Sequence, residues 1–165
     1  MTTERQLDPQ RLGDHLDRLY RAAWALSGSP HDAEDLVQET YARVLSKPRF
    51  LRNDDDLGYL LRVLRNTFLT QRESAARRPP TAAGMEDEAE LVRDRESAQP
   101  DVMLETRQVF DAIATLGADA RDVLVAVDVA GLSYKEAAKA LKVPQGTIMS
   151  RLHRARSEVA KLLKG

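Results

Sequence analysis

Residues 131–156, GLSYKEAAKALKVPQGTIMSRLHRAR, decide how the rest of the chain is read. Ser133 and Glu136 stand at the spacing of a capping box, in which the hydroxyl accepts from one orphan amide and the carboxylate reaches back to another. A short helix over 133–141 therefore follows. Val143 and Pro144 interrupt it. Because proline is tolerated in a first turn, a longer helix resumes over 145–163. With Ile148 at zero and 100° per residue, Leu152, Ala155, Val159, Leu162 and Leu163 fall within about 60° of it and form the core stripe. Ser150, His153 and Arg154 stand on the opposite face, Thr147 and Met149 on its shoulders, and Arg151 and Arg156 at its flanks. Helix, tight turn and helix with such a face suit a major groove, where Arg, His and Ser meet base edges and flanking cations meet phosphates. The same charges would also serve a merely solvated amphipathic helix; the capped helix and turn in front of them favour DNA.

Charge along the chain supports two contacts with a polyanion. The net charge is -1, yet residues 129–165 carry eight Lys or Arg against two acidic residues and residues 57–80 carry five against one. Between them, residues 81–128 carry twelve acidic residues against four basic ones. Two basic blocks flank an acidic one, which must face solvent or a basic partner.

Working towards the N-terminus, Val102, Val109, Phe110, Ile113 and Leu116 predict a helix closed by Gly117, and 121–130 a short apolar helix closed by Gly131. Residues 79–100 are rich in Ala, Glu, Asp and Gly and read as a flexible acidic linker. Before it, Leu57, Leu60, Leu61, Leu64 and Phe68 share about 100° of arc on one helix, with Arg62, Arg65, Asn66 and Arg72 outside the stripe. Residues 46–56, with one Pro and an Asn-Asp-Asp-Asp run, read as an exposed loop. A helix from about Asp32 carries Ala33, Leu36, Val37, Tyr41, Val44 and Leu45, and another spans roughly 9–27, the two separated by Gly28-Ser29-Pro30. No period-2 pattern appears. The expected fold is all-α: two small helical domains, 1–78 and 101–165, joined by the linker 79–100, the second containing the helix-turn-helix.

Composition narrows function further. The absence of cysteine excludes disulfide scaffolds, thiolate metal sites and cysteine nucleophiles, and fits a cytoplasmic chain. No run approaches the ~18 apolar residues of a membrane span, so no membrane insertion is expected. His15, His31 and His153 are far apart, no phosphate loop is present, and Asp54-Asp55-Asp56 lacks the alternating ligands and distal Glu of a calcium loop. Neither catalysis, nor a cofactor, nor a metal is expected.

Three stretches together resemble one family. Residues 131–156 look like the C-terminal promoter-binding domain of extracytoplasmic-function (ECF) sigma factors. HDAEDLVQETYARV, residues 31–44, resembles that family's helix for core RNA polymerase, and YLLRVLRNTF, residues 59–68, its promoter-melting helix. The resemblance implies a non-catalytic subunit of bacterial RNA polymerase whose partners are core polymerase, promoter DNA and an anti-sigma factor. It implies that Asp35, Leu36, Gln38 and Glu39 face the clamp helices of the polymerase's largest subunit. Arg62, Arg65, Asn66 and Arg72 would track the minus-ten element, and the loop with Arg52 and Asn53 would receive a flipped base. Thr147, Met149, Ser150, His153 and Arg154 would read the minus-thirty-five element, with Arg151 and Arg156 nearer phosphates. The linker, with Glu86, Asp87, Glu88 and Glu90, resembles the family's connector through the polymerase, although composition alone reads as a solvated tether.

Two positions depart from the family. Met149 stands where relatives frequently carry a basic residue; it can touch a thymine methyl but makes no bidentate bond to guanine. Gly58-Tyr59 replaces a common Ala-Trp pair, and Gly58 weakens the helix start by up to ~1 kcal/mol. Two other readings remain open at this level: a helical adaptor that binds proteins only, and a conventional helix-turn-helix regulator independent of core polymerase.

Overall fold

The computed structural model describes residues 5–48, 50–51, 55–77 and 100–165. Seven helices are described: α1 (Leu16–Ser27), α2 (Pro30–Leu45), α3 (Asp56–Arg77), α4 (Pro100–Ala114), α5 (Ala118–Leu124), α6 (Tyr134–Leu141) and α7 (Gln145–Lys164). The fold is all-α apart from a two-residue antiparallel pairing of β1 (Arg5–Gln6) with β2 (Phe50–Leu51), which breaks the loop expected over 46–56. Most of the expected linker lies outside the described residues.

The punctuation read from the sequence does double duty. Gly28 ends α1 with φ 78, and Ser29, extended at φ -145, caps α2 by accepting from the Asp32 amide at 3.3 Å. With Pro30 in its first turn, α2 starts two residues earlier than its apolar pattern indicates. The first helix is also split: Pro9–His15 winds as a tighter 3-10 segment, and the α-helix proper starts at Leu16.

Helix α1 is the hub. An amphipathic helix buries one face, but of the eight residues from Leu19 to Leu26 six are buried, Leu19, Ala22, Ala23, Trp24, Ala25 and Leu26. The stretch from Ala22 to Leu26 is apolar on every side and must be covered all round, and α2, α3 and α4 each pack on α1. The cover therefore comes from both halves of the chain: Trp24 meets Phe110 of α4 edge-on, ring centroids 5.0 Å apart. One core cluster runs from Leu7 to Val159, so the two halves are packed together.

In the C-terminal half, Gly117 does not close α4; at φ -58 and ψ 153 it occupies the N-cap of α5. Helix α5 widens into a π turn over Val125–Val129, where the Ala130 amide bonds back to the Val125 carbonyl at 2.8 Å, and Gly131 with φ 83 ends it as expected. Three leucines depart from the predicted core. Leu45, Leu162 and Leu163 are 53%, 52% and 48% exposed, because each sits in a last helical turn that runs past the elements covering the rest of its stripe.

Candidate nucleic-acid interface

Helix α7 is set by its neighbour α6. Ser133 and Glu136 form the expected capping box, with Ser133 N–H donating to Glu136 Oε1 at 2.9 Å and Glu136 N–H to Ser133 Oγ at 3.1 Å. These bonds hold the Glu136 carboxyl below its ordinary value. Helix α6 ends at Lys142 in the left-handed region, φ 58, a turn made without glycine. Ala137 and Ala140 of α6 and Ile148, Leu152, Ala155 and Val159 of α7 are buried in the packed pair.

Opposite that stripe, Met149, Ser150, His153 and Arg154 are exposed and Thr147 is half-buried. The Ser150 hydroxyl donates to the Thr147 carbonyl at 3.2 Å, leaving its lone pairs outward. The flanking arginines behave differently from expectation. Arg156 grips Asp128 with two bonds, Nε to Oδ2 at 2.8 Å and Nη2 to Oδ1 at 2.7 Å, and this pairing raises its already high pKa. Arg151 lies 3.7 Å from Asp119. Both guanidinium groups thus brace α7 against α5 and its π turn. Arg154 carries the outward charge of this face.

The second basic group lies on α3. Asn66 is exposed, Arg72 is exposed with its guanidinium 5.5 Å from the Phe68 ring centre, and Arg62 is half-buried. Arg65 is turned towards the other half of the chain: its Nε donates to Asp122 Oδ2 at 2.7 Å. Arg121, buried, lies 5.2 Å over the same Phe68 ring. Burial lowers its pKa, with Arg72 and Arg65 pushing the same way and Asp122 opposing. Asp122 and Arg121 were not legible as site residues. Their one signal is charge at the head of an otherwise apolar run. Arg52 and Asn53 lie outside the described residues.

On α2, Asp35 is 62% exposed and 3.6 Å from His31, Gln38 is exposed, and Glu39 pairs with Arg43 at 3.1 Å. Leu36 departs from its expected role: at 1% exposure it is core and offers no surface to a partner. Asp35 and Glu39 form one wall of a cleft whose other walls include Phe68, Arg72 and Arg121. Among the described residues no group of three or more His, Asp or Glu is placed to hold a metal ion.

Residues 12–78 match the family model for sigma-70 region 2, and residues 106–159 that for sigma-70 region 4. Among curated proteins, the chain is 34% identical over 148 residues to the ECF RNA polymerase sigma factor SigE of Mycolicibacterium smegmatis, covering 88% of this chain and 57% of that one. It is 33% identical over 142 residues to the ECF RNA polymerase sigma factor EcfG of Rhodopseudomonas palustris, covering 86% of this chain and 76% of that one. Thus it spans little over half the length of the first relative and three quarters of the second. Among solved structures, the sigma factor RpoE in complex with the anti-sigma factor NepR from Bartonella quintana is similar, with a TM-score of 0.63, 26% identity, and coverage of 94% of this chain and 95% of that one. The fold also matches CnrH, solved with the cytosolic domain of CnrY, with a TM-score of 0.65, 23% identity, and coverage of 94% and 86%.

Proposed function

The chain belongs to the extracytoplasmic-function sigma factors of RNA polymerase, and from that premise we propose that it binds bacterial core polymerase and gives it promoter choice. The observation that carries the reading is the outward face of α7, Met149, Ser150, His153 and Arg154, presented by a capped helix and a tight turn. Inserted in the major groove of a minus-thirty-five element, Arg154 and His153 meet base edges and Met149 meets a thymine methyl. Arg151 and Arg156 act first on Asp119 and Asp128 and so set the angle of α7, with phosphates as their second partners. Arg62, Arg65, Asn66 and Arg72 track the minus-ten element, and Arg52 and Asn53 take the extruded base. On α2, Asp35, Gln38 and Glu39 meet the polymerase, and Leu36 supports them from the core.

In this reading residues 1–78 and 101–165 are the two working domains and 79–100 the acidic connector. No reaction is assigned to the chain; it acts through binding, in the cytoplasm where core polymerase works, and among its described residues no helix is long and apolar enough to cross a membrane. An anti-sigma factor is its further proposed partner, on the strength of the RpoE likeness. The test is to add the purified chain to core polymerase with pooled genomic promoter fragments and sequence the transcript starts. New starts sharing two upstream elements are expected. A folded, inhibitor-free preparation that neither binds nor redirects core would return the chain to the adaptor or conventional-regulator readings.

A further inference from the structure

A cavity of about 410 Å³ opens between α1, α4 and the C-terminal half of α7. Of the residues assigned above to DNA or polymerase, only Arg156 lines it. Helix α4 supplies Val109, Phe110 and Ile113, and α7 supplies Val159 and Leu163. Both the size and the make-up, apolar with a few polar groups, are those of small-molecule sites, which run from ~300 to ~1,000 Å³.

Two further features mark this cavity. Asp128 and Val129 enter its lining from the π turn over Val125–Val129, and single widened turns of this kind recur at functional sites. Leu163, 48% exposed in the last turn of α7, stands in the same lining. An occupant would cover it.

The charged groups of the lining are Arg21, Asp128 and Arg156. Two of them are taken up with each other, since Arg156 bonds both carboxylate oxygens of Asp128. Arg21 is exposed and forms no ion pair among the described residues. One uncompensated guanidinium beside an apolar trough matches a ligand with an apolar body and a carboxylate head. Walls built mainly of branched aliphatic side chains, with Phe110 the single ring, suit a flexible hydrocarbon chain better than a stacked aromatic.

We propose that this cavity binds a free straight-chain carboxylate of medium length, its hydrocarbon lying between α4 and α7 and its carboxylate on Arg21. The site uses neither DNA nor polymerase, so it stands whether or not the chain directs transcription.

Trp24 is the chain's single tryptophan, and its ring centre lies 5.0 Å from that of Phe110, so its fluorescence reports on the cavity in the unaltered protein. Straight-chain acids from hexanoate to tetradecanoate, kept below micelle-forming concentrations, are titrated by that signal and by calorimetry, beside the alcohols of equal length. Affinity is expected to rise about fourfold per methylene, the factor for burying one CH₂, and to stop rising once the chain outgrows the cavity. Arg21→Gln is expected to erase the acid's advantage over the alcohol and to leave the alcohol's affinity unchanged. Ala160→Phe, at an exposed lining position of α7, fills the mouth without touching the core and is expected to abolish binding of both. No response to any acid, a rise without a plateau, equal affinity for acid and alcohol in the parent, or undiminished binding in Ala160→Phe overturns the proposal. So does a cavity that takes no acid but holds an amphipathic helical peptide, an anionic phospholipid vesicle or a second copy of the chain.

Discussion

Arg65 and Asp122, 57 residues apart in sequence, meet at 2.7 Å across the seam between the two halves. Each is awkward alone: Asp122 is buried in the last turn of α5, and Arg65 projects from the polar side of α3. Asp122→Ala is expected to destabilise the chain by about 1–3 kcal/mol, the range for a hydrogen bond to a charged group that leaves its partner unsatisfied. A double-mutant cycle with Arg65→Ala in urea checks it. Additive losses would mean that the two residues do not act as a pair in solution.

Trp24 and Phe110 join the halves through apolar burial. Phe110→Ala is expected to cost about 3–5 kcal/mol. Since one core includes both rings, the parent chain should unfold in one transition by far-UV circular dichroism and Trp24 fluorescence alike. Two separated transitions in the parent would count against a shared core.

Arg154 and Arg156 are two residues apart on α7 but differ in what they hold. Arg154→Ala is expected to weaken holoenzyme binding to the cognate minus-thirty-five element by about 1–3 kcal/mol and to relax preference at one base pair. Arg156→Ala removes the two-bond grip on Asp128 and should lower stability while changing affinity evenly across sequences. Titrations against single-base variants of the element separate the two, and equal sequence-dependent losses would refute the bracing role.

Asp55 and Glu136 give the seam a pH dependence. Burial is the main cause that raises Asp55 above 3.8, with Glu136 adding to it and the Gly58 amide and Lys139 opposing. A raised carboxyl holds its proton better when folded, so its contribution is full below 3.8 and disappears as pH rises through the folded value. Glu136, lowered by its Ser133 bonds, contributes above 4.5 and loses that contribution as pH falls through its own folded value. Urea melts from acid to neutral pH should show Asp55→Asn flattening the upper limb of the profile, and Glu136→Gln the lower. Parallel profiles for parent and variants would remove both groups from the linkage.

What local chemistry specifies was legible in the sequence alone. The capping box at Ser133 and Glu136, the stop at Gly131 and the stripe of Leu57, Leu60, Leu61, Leu64 and Phe68 all depend on residues within about one helical turn of each other, so spacing alone reveals them. The outward set of α7 followed from the same geometry. What only the tertiary structure decided is which charges meet and which apolar faces are covered. Arg156 looks as available as Arg154 until α7 is packed beside Asp128, 28 residues away. Leu36 looks like an interface residue until α2 lies on α1, and Leu162 looks like core until α7 outruns its neighbours. Gly58 reads as a weak helix start, but the seated carboxyl of Asp55 shows the space it leaves. Periodicity orients a side chain about its own helix axis. Its partner is set by the packing of distant elements, and the chain's own sequence carries that only through the folded whole.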